Sequence, residues 1–106
     1  MARLVAMYKT PSDTAAFDAY YAENHMPLAK TIPGLTGYEV SSGPVVSPLA
    51  GPGGDSGYHL IATLHFESMP ALQAALGSPE GQATAGDLAN FADGGVELLV
   101  FDSKAV

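Results

Sequence analysis

The first helix of this chain is encoded by the stretch Phe17-Asp18-Ala19-Tyr20-Tyr21-Ala22-Glu23-Asn24-His25-Met26-Pro27-Leu28. At helical spacing, one stripe of this helix has to face the protein interior, and it consists of Phe17, Tyr21, His25 and Leu28. An imidazole on that stripe is a candidate functional group. A core histidine that is hydrogen-bonded to a neighbour is the structural alternative.

Pro27 predicts an irregularity in the same helix. Proline has no backbone N–H, so the carbonyl of Glu23 loses its helical partner and the helix is expected to kink. Ile32-Pro33-Gly34-Leu35 then ends the helix and leads into the next element. His25 is therefore expected beside a break in regular structure.

Strand patterns flank this helix. Residues 2–9 predict a first strand. Thr10-Pro11-Ser12-Asp13 has turn and N-cap chemistry, and the first helix is expected over about 13–31. A second strand is expected over 35–46, a proline- and glycine-rich loop over 47–57, and the clearest strand of the chain over 58–66.

Apolar and polar residues alternate along the third strand. One face is expected to carry Tyr58, Leu60, Ala62, Leu64 and Phe66, and the other His59, Ile61, Thr63 and His65.

Two helices and a strand complete the chain. Ser68 is expected to cap a helix over 69–76, Ser78-Pro79 to begin another that reaches about residue 92, and residues 96–102 to form the last strand. The order βαββαβ predicts one α+β domain, 1–106, with the ferredoxin-like fold: a four-stranded antiparallel sheet with helices on one face. The open face, expected to include Ile61, Val96, Leu98 and Val100, predicts a homodimer that is closed sheet to sheet.

Charge excludes several functional classes. The net charge is −7, and the only cations are Arg3, Lys9, Lys30 and Lys104. Four scattered cations cannot neutralise a nucleic-acid backbone or an anionic membrane, and no phosphate-binding glycine loop is present. We therefore expect a neutral or singly charged small ligand, no nucleic acid and no membrane.

Composition bounds the chemistry further. The chain has no cysteine, which removes disulfides, thiolate nucleophiles and cysteine-type metal sites. No His-x-His or Glu-x-x-His pattern occurs, so no metal site is expected. No apolar run is long enough to span a bilayer and no signal peptide is recognisable, so a cytoplasmic location is expected.

Three motifs resemble the EthD family. The first is Tyr21-x3-His25-x-Pro27-Leu28, followed by Ile32-Pro33-Gly34-Leu35 and Tyr38. The others are Ser78-Pro79-Glu80-Gly81-Gln82 and Asn90-Phe91-Ala92-Asp93-Gly94-Gly95-Val96. They occur in the family's order and cover nearly the whole chain.

The resemblance implies a dimeric α/β barrel with a pocket between the sheet and the helices of each subunit. Better-understood relatives in this superfamily, among them muconolactone methylisomerases and polyketide cyclases, work without metal or organic cofactor. In the methylisomerase-like members, a helix-one His and a second-strand Tyr carry the chemistry. By motif position these are His25 and Tyr38. The implied activity is acid–base isomerisation, cyclisation or dehydration of a hydrophobic carbonyl or cyclic metabolite.

Other interpretations of the resemblance stay open. Many family members are labelled reductases, although this sequence has no flavin or nicotinamide motif and no cofactor is expected. The family was first noted beside an ether-degrading oxygenase system, so a non-catalytic binding or accessory protein is the alternative to an enzyme.

Three further residues are candidates for binding a ligand. Tyr8, near the end of the first strand, is expected to line the pocket. Asn24 either orients a ligand or caps the kink, and His65 either joins the pocket or faces a dimer partner. The carboxylates are dispersed along the sequence, and none is predicted to pair with another as an acid–base couple.

Overall fold

The computed structural model describes all residues, 1–106, and shows a four-stranded antiparallel sheet in the order β2-β3-β1-β4. The strands are β1 Ala2–Lys9, β2 Leu35–Val40, β3 Tyr58–Phe66 and β4 Val96–Asp102. The helices are α1 Thr14–Tyr20, α2 Met26–Ala29, α3 Met69–Gly77 and α4 Pro79–Phe91. The βαββαβ order and the ferredoxin-like α+β fold are confirmed. No helix has the length and apolarity needed to cross a membrane.

Side-chain caps begin the helices where the sequence predicted them. Asp13, Ser68 and Ser78 each accept a hydrogen bond from the backbone N–H three residues further on, at 3.0, 3.2 and 3.0 Å. Each cap satisfies one of the N–H groups that a helix leaves free at its first turn. The start of each helix is therefore set by local chemistry.

The irregularity expected near Pro27 is a π-helical segment. It spans Tyr21–His25 between α1 and α2, and the Met26 N–H bonds the Tyr21 carbonyl, five residues back. Because Pro27 cannot donate to the Glu23 carbonyl, a wider turn at this point accommodates the lost bond. His25 is the last residue of this wider turn.

The core lies between the sheet and the helices. Alternate residues of β1, from Ala2 to Tyr8, are buried. The other core residues come from the helices and β3, apart from Ile32 in the connection to β2, and the largest fully buried side chains are Tyr8, Phe66 and Leu72. Tyr8 packs edge-to-face on Phe17 with ring centroids 5.4 Å apart. An aromatic cluster thus holds the first helix on the sheet.

The predicted facing of His59 is wrong. Tyr8 pairs with Leu60 but Lys9 pairs with Tyr58, so β3 contains an extra residue, a β-bulge, at His59. The bulge turns His59 to the helix-covered side, where its ring meets Phe17 at 5.1 Å. It also turns Tyr58, predicted on that side, to the open face. His65 does lie on the open face, as predicted.

The predicted facing of β4 is also wrong. Val96, Leu98 and Val100 pair with buried residues of β1 and so lie on the helix-covered face. Leu99 and Phe101 lie on the open face and are 52% and 42% exposed. The run is apolar at successive positions, so it lacks the alternation that fixes the facing of a strand.

The connection after β2 is longer than predicted. β2 ends at Val40 rather than at residue 46. Residues 41–57 contain a short 3-10 helix, Pro48–Ala50, and a single bridge between Val46 and Asp55. This segment forms one wall of a large surface cleft.

Candidate active site

His25 is buried and bound to a carboxylate. Its residue exposure is 4%, and its Nδ1 lies 2.9 Å from Oδ2 of Asp87 in α4. The side chains are only 5% and 10% exposed. The π-helical segment and α4 therefore place an imidazole and a carboxylate together in the interior.

Asp87 is itself held by several donors. Its Oδ1 accepts from the Tyr20 hydroxyl at 2.6 Å and from Nδ2 of Asn90 at 2.9 Å. Burial alone would raise the pKa of Asp87, but the hydrogen bonds from Tyr20, Asn90 and His25 outweigh it and hold that pKa below its ordinary value. Asp87 is therefore a carboxylate near neutral pH.

The protonation of His25 follows from its surroundings. Burial lowers the pKa of His25, and the attraction of Asp87 recovers only part of that shift. The imidazole is therefore neutral at pH 7. Because Asp87 can only accept, the single ring proton lies on Nδ1 and leaves a lone pair on Nε2.

Tyr8 lies beside that lone pair. Its hydroxyl is 3.4 Å from Nε2 of His25, a long and weak contact. Burial, followed by the nearby Tyr38 and Asp87, raises the pKa of Tyr8, so the hydroxyl keeps its proton. Nε2 is thus close to a donor without being strongly engaged by it.

A second hydroxyl pair lies nearby. The hydroxyls of Tyr21 and Tyr38 are 2.5 Å apart. Burial raises the pKa of both phenols, so both stay neutral at physiological pH. Two linked neutral hydroxyls retain one proton to donate outward, because only one of them is used in the bond between them.

These groups line one small cavity between the sheet and the helices. Its volume is about 70 Å³, and its polar lining includes Tyr8, Tyr21, His25 and Tyr38. Most other lining residues are apolar, among them Leu64, Leu88 and Leu98. We call this space the His25 cavity. It combines an apolar wall with a few convergent polar groups, the usual make-up of a small-molecule site.

The structure brings together only some of the residues singled out from the sequence. His25, Tyr38 and Tyr8 share the His25 cavity. Asn24 is exposed on the outer side of the helix and lies outside it. His65 binds Glu39 at 2.9 Å on the open face of the sheet, also outside the cavity.

Sequence reasoning missed Asp87, the residue that defines the state of His25. One signal was available: Asp87 lies three residues after Thr84 and four before Phe91, both buried. A carboxylate beside an inward stripe of a helix has to find a donor. Tyr21 lies in the interior, as the helical stripe predicts, and it also supplies a hydroxyl group to the site.

Two further features bear on ligands. No three His, Asp or Glu side chains are placed to hold one metal ion. A second, larger cleft of about 680 Å³ adjoins the His25 cavity at Tyr21, which lines both.

Comparisons with known proteins place this fold. The EthD domain model matches residues 9–95. An uncharacterized 11.0 kDa protein from the thcB–thcC intergenic region of Rhodococcus erythropolis is 37% identical over 106 residues, covering 100% of this chain and 98% of the relative.

Solved structures agree with the family match. An ethyl tert-butyl ether D (EthD) family protein of Bacillus halodurans superposes with a TM-score of 0.86 at 32% identity, over 98% of this chain and 99% of the other. SnoaB of Streptomyces nogalater, a cofactor-independent oxygenase, shares the fold at a TM-score of 0.68 and 15% identity, over 99% and 94%. The family match spans most of the chain and both relatives above 30% identity cover nearly all of it, so this chain belongs to the EthD family.

Proposed function

We propose that this protein is a small-molecule enzyme in which His25 abstracts and returns a proton on a hydrophobic carbonyl or cyclic metabolite. The observation that carries the proposal is the largely buried His25–Asp87 pair, 2.9 Å from Nδ1 to Oδ2, with His25 on the lining of an apolar cavity. A placed general base contributes about 10²–10⁴-fold in rate.

The His25–Asp87 pair can stabilise the positive charge that forms on His25 during proton transfer. When Nε2 takes a proton from carbon, the imidazole becomes a cation and the Asp87 carboxylate beside it compensates that charge. Without Asp87, the same cation would form in a buried apolar site at a high cost in free energy. This arrangement favours proton transfer over simple occupancy of a core position.

The tyrosines supply the electrophilic half of the reaction. The electron pair released when the C–H bond breaks moves onto the carbonyl oxygen, which becomes an enolate oxygen. Tyr38 or Tyr21 can donate its remaining hydroxyl proton to that oxygen, and a donor of this kind stabilises developing negative charge. Return of the proton to another atom completes an isomerisation. Attack of the enolate carbon on a second carbonyl, whose oxygen then takes the proton from His25, gives cyclisation. Departure of a β-hydroxyl group, which takes the same proton and leaves as water, gives dehydration.

A binding protein without turnover is the second candidate, since it would use the same apolar cavity. The largely buried Asp87 carboxylate, with a side chain that is 10% exposed, weighs against it, because holding an apolar molecule needs no ionised group and burying one is costly. An oxidoreductase, which family labels suggest, would need an electron carrier in addition to the groups described.

Assembly is part of the proposal. The open sheet face carries Ile61, Leu99 and Phe101, and the last two are about half exposed in a single chain. We propose that a second copy covers this face and closes the sheets against each other, because an apolar sheet face is stable only when covered. The His25 cavity lies on the opposite side of the sheet.

Deuterium exchange tests the proposed chemistry even though the natural substrate is not identified. A panel of cyclic ketones and lactones is incubated in D2O with the wild type, His25→Gln and the control His65→Gln, and deuterium at the α-carbon is followed by mass spectrometry. We expect wild type and His65→Gln to exchange at least one compound about 10²-fold faster than His25→Gln. Equal rates in all three proteins, above the protein-free background, would contradict the proposal.

A further inference from the structure

The large cleft beside the His25 cavity has the size of a ligand site. Its volume is about 680 Å³, whereas that of the His25 cavity is about 70 Å³. Sites for small molecules usually measure roughly 300–1,000 Å³. The His25 cavity can therefore accept the reacting end of a molecule, and the cleft has room for the remainder.

The cleft walls are mostly apolar and carry no cation. Met26, Val40 and Leu60 contribute apolar surface, whereas Asp18 and Asp55 contribute carboxylates. No lysine or arginine lines the cleft. An anion would be repelled there, so the walls favour a neutral molecule with a large apolar part.

His59 is the imidazole of this cleft, and the β-bulge puts it there. Its Nε2 lies 2.7 Å from Oδ1 of Asp18, and its ring packs on Phe17. The side chain is 22% exposed, and Nδ1 has no hydrogen-bond partner within the chain. Every buried side-chain nitrogen or oxygen has a partner, so this Nδ1 is not fully buried.

The bond to Asp18 determines what the free nitrogen can recognise. A neutral imidazole that donates its Nε2–H to a carboxylate carries a lone pair on Nδ1. In the neutral ring, that nitrogen accepts a hydrogen bond and cannot donate one. It therefore matches a hydroxyl group on the ligand rather than a carbonyl or an ether oxygen.

Tyr21 lies between the cleft that contains His59 and the cavity that contains His25. It lines the cleft and the His25 cavity alike, and its hydroxyl is bonded to Tyr38. A molecule seated in the cleft therefore lies against the Tyr21 side chain, whose other surface lines the His25 cavity.

We propose that the cleft binds a neutral, largely apolar molecule that donates a hydroxyl group to Nδ1 of His59. The identity of the molecule rests on the proposed function: it is a hydroxylated carbonyl compound whose carbonyl end extends past Tyr21 to His25. His59 is then a residue that determines specificity, on the opposite side of the sheet from His65.

Methionine methyl NMR tests the binding directly. The protein has four methionines; Met26 lines the cleft, and Met7 lies on the open sheet face. The methyl-labelled protein is titrated with 2-naphthol and, as the matched probe, with its methyl ether, which cannot donate. The same titrations are made on His59→Leu and on His65→Leu, in which the imidazole on the opposite face of the same strand is removed.

We expect 2-naphthol to shift the Met26 methyl, to leave Met7 unchanged, and to bind about fivefold more tightly than its ether, as one hydrogen bond allows. His59→Leu should remove this preference and His65→Leu should retain it. Equal affinity for the two probes in the wild type, or a preference that survives in His59→Leu, would overturn the proposal. The comparison of the two probes in the wild type tests the proposal even if a variant fails to fold.

The same titration on His25→Gln separates this proposal from the proposed function. Retention of the preference for 2-naphthol in that variant supports the cleft site whatever the result of deuterium exchange. Its loss there, with Met26 no longer shifted, would place the probe in the His25 cavity instead and overturn the cleft site.

Discussion

Asp87 holds His25 from a position 62 residues away in sequence, with Oδ2 2.9 Å from Nδ1 of the imidazole. Tyr20 and Asn90 donate hydrogen bonds to the other carboxylate oxygen, so the orientation of the Asp87 carboxylate does not depend on His25 alone. The result is a neutral base whose tautomer is set by the protein.

Replacing Asp87 with Asn should impair proton transfer. An amide can offer an N–H to Nδ1, which would move the ring proton to Nε2, and it cannot compensate an imidazolium. We expect deuterium exchange to fall about 10²-fold. Asp93→Asn is the control, since Asp93 accepts a hydrogen bond from Ser12 at the surface and does not line the His25 cavity. An unchanged rate in Asp87→Asn would show that the carboxylate is only structural.

Stability should depend on the protonation of His25. Because burial lowers the pKa of His25 in the folded chain, the unfolded chain binds a proton that the folded chain does not as the pH falls below about 6.5. The free energy of unfolding should therefore decrease on acidification, by at most about 1.4 kcal/mol per pH unit from this group. The lowered pKa of Asp87 adds a further loss of stability when the pH falls below about 4.

Urea denaturation between pH 5 and 8 measures this effect. The wild type should lose stability towards pH 5, and His25→Gln should lose less over the same range. If the free energy of unfolding changes with pH equally in the wild type and in His25→Gln, His25 is not held neutral by burial.

Two glycines of α4 should respond oppositely to the same change. A Cβ on Gly81 would lie 2.1 Å from the Ala75 carbonyl oxygen, whereas a Cβ on Gly86 would meet nothing within 4 Å. Gly81→Ala should cost about 2 kcal/mol or more, because backbone has to move. Gly86→Ala should stabilise by about 0.5–1 kcal/mol through helix propensity. Similar melting temperatures for the two variants would contradict the close packing of α3 on α4.

The proposed dimer predicts the effect of a charge on the open sheet face. Leu99→Lys should shift the protein towards monomer in analytical ultracentrifugation, since it buries a cation in an apolar interface. Leu49→Lys is the control, because Leu49 is 97% exposed in the long connection. A wild type that sediments as a monomer at micromolar concentration would refute the assembly.

The parts of the fold that were predictable from the sequence depend on local chemistry. Asp13, Ser68 and Ser78 cap helices through hydrogen bonds to backbone N–H groups only three residues away in sequence. Pro27 disturbs the first helix because it has no backbone N–H. The alternation in β1 reports directly which residues are buried. These features do not depend on distant parts of the chain.

The features that sequence reasoning missed depend on pairing and packing. A bulge is a mismatch between two strands, so the inward turn of His59 becomes visible only when β1 lies against β3. Leu98 and Leu99 are equally apolar, and their faces are decided by register. The partnership of Asp87 with His25 arises from the packing of α4 beside the π-helical segment. The local pattern in α4 indicates that Asp87 needs a donor, but it does not indicate that His25 is that donor.

The state of the His25 imidazole is the most direct test of the account. Nitrogen NMR of protein labelled with ¹⁵N-histidine reports which ring nitrogen carries the proton. At pH 7 we predict a neutral His25 with the proton on Nδ1 and a bare Nε2. We also predict that Asp87→Asn disturbs this tautomer. An imidazolium at pH 7, or a neutral ring with its proton on Nε2, would contradict the claim that His25 is a base held ready by Asp87.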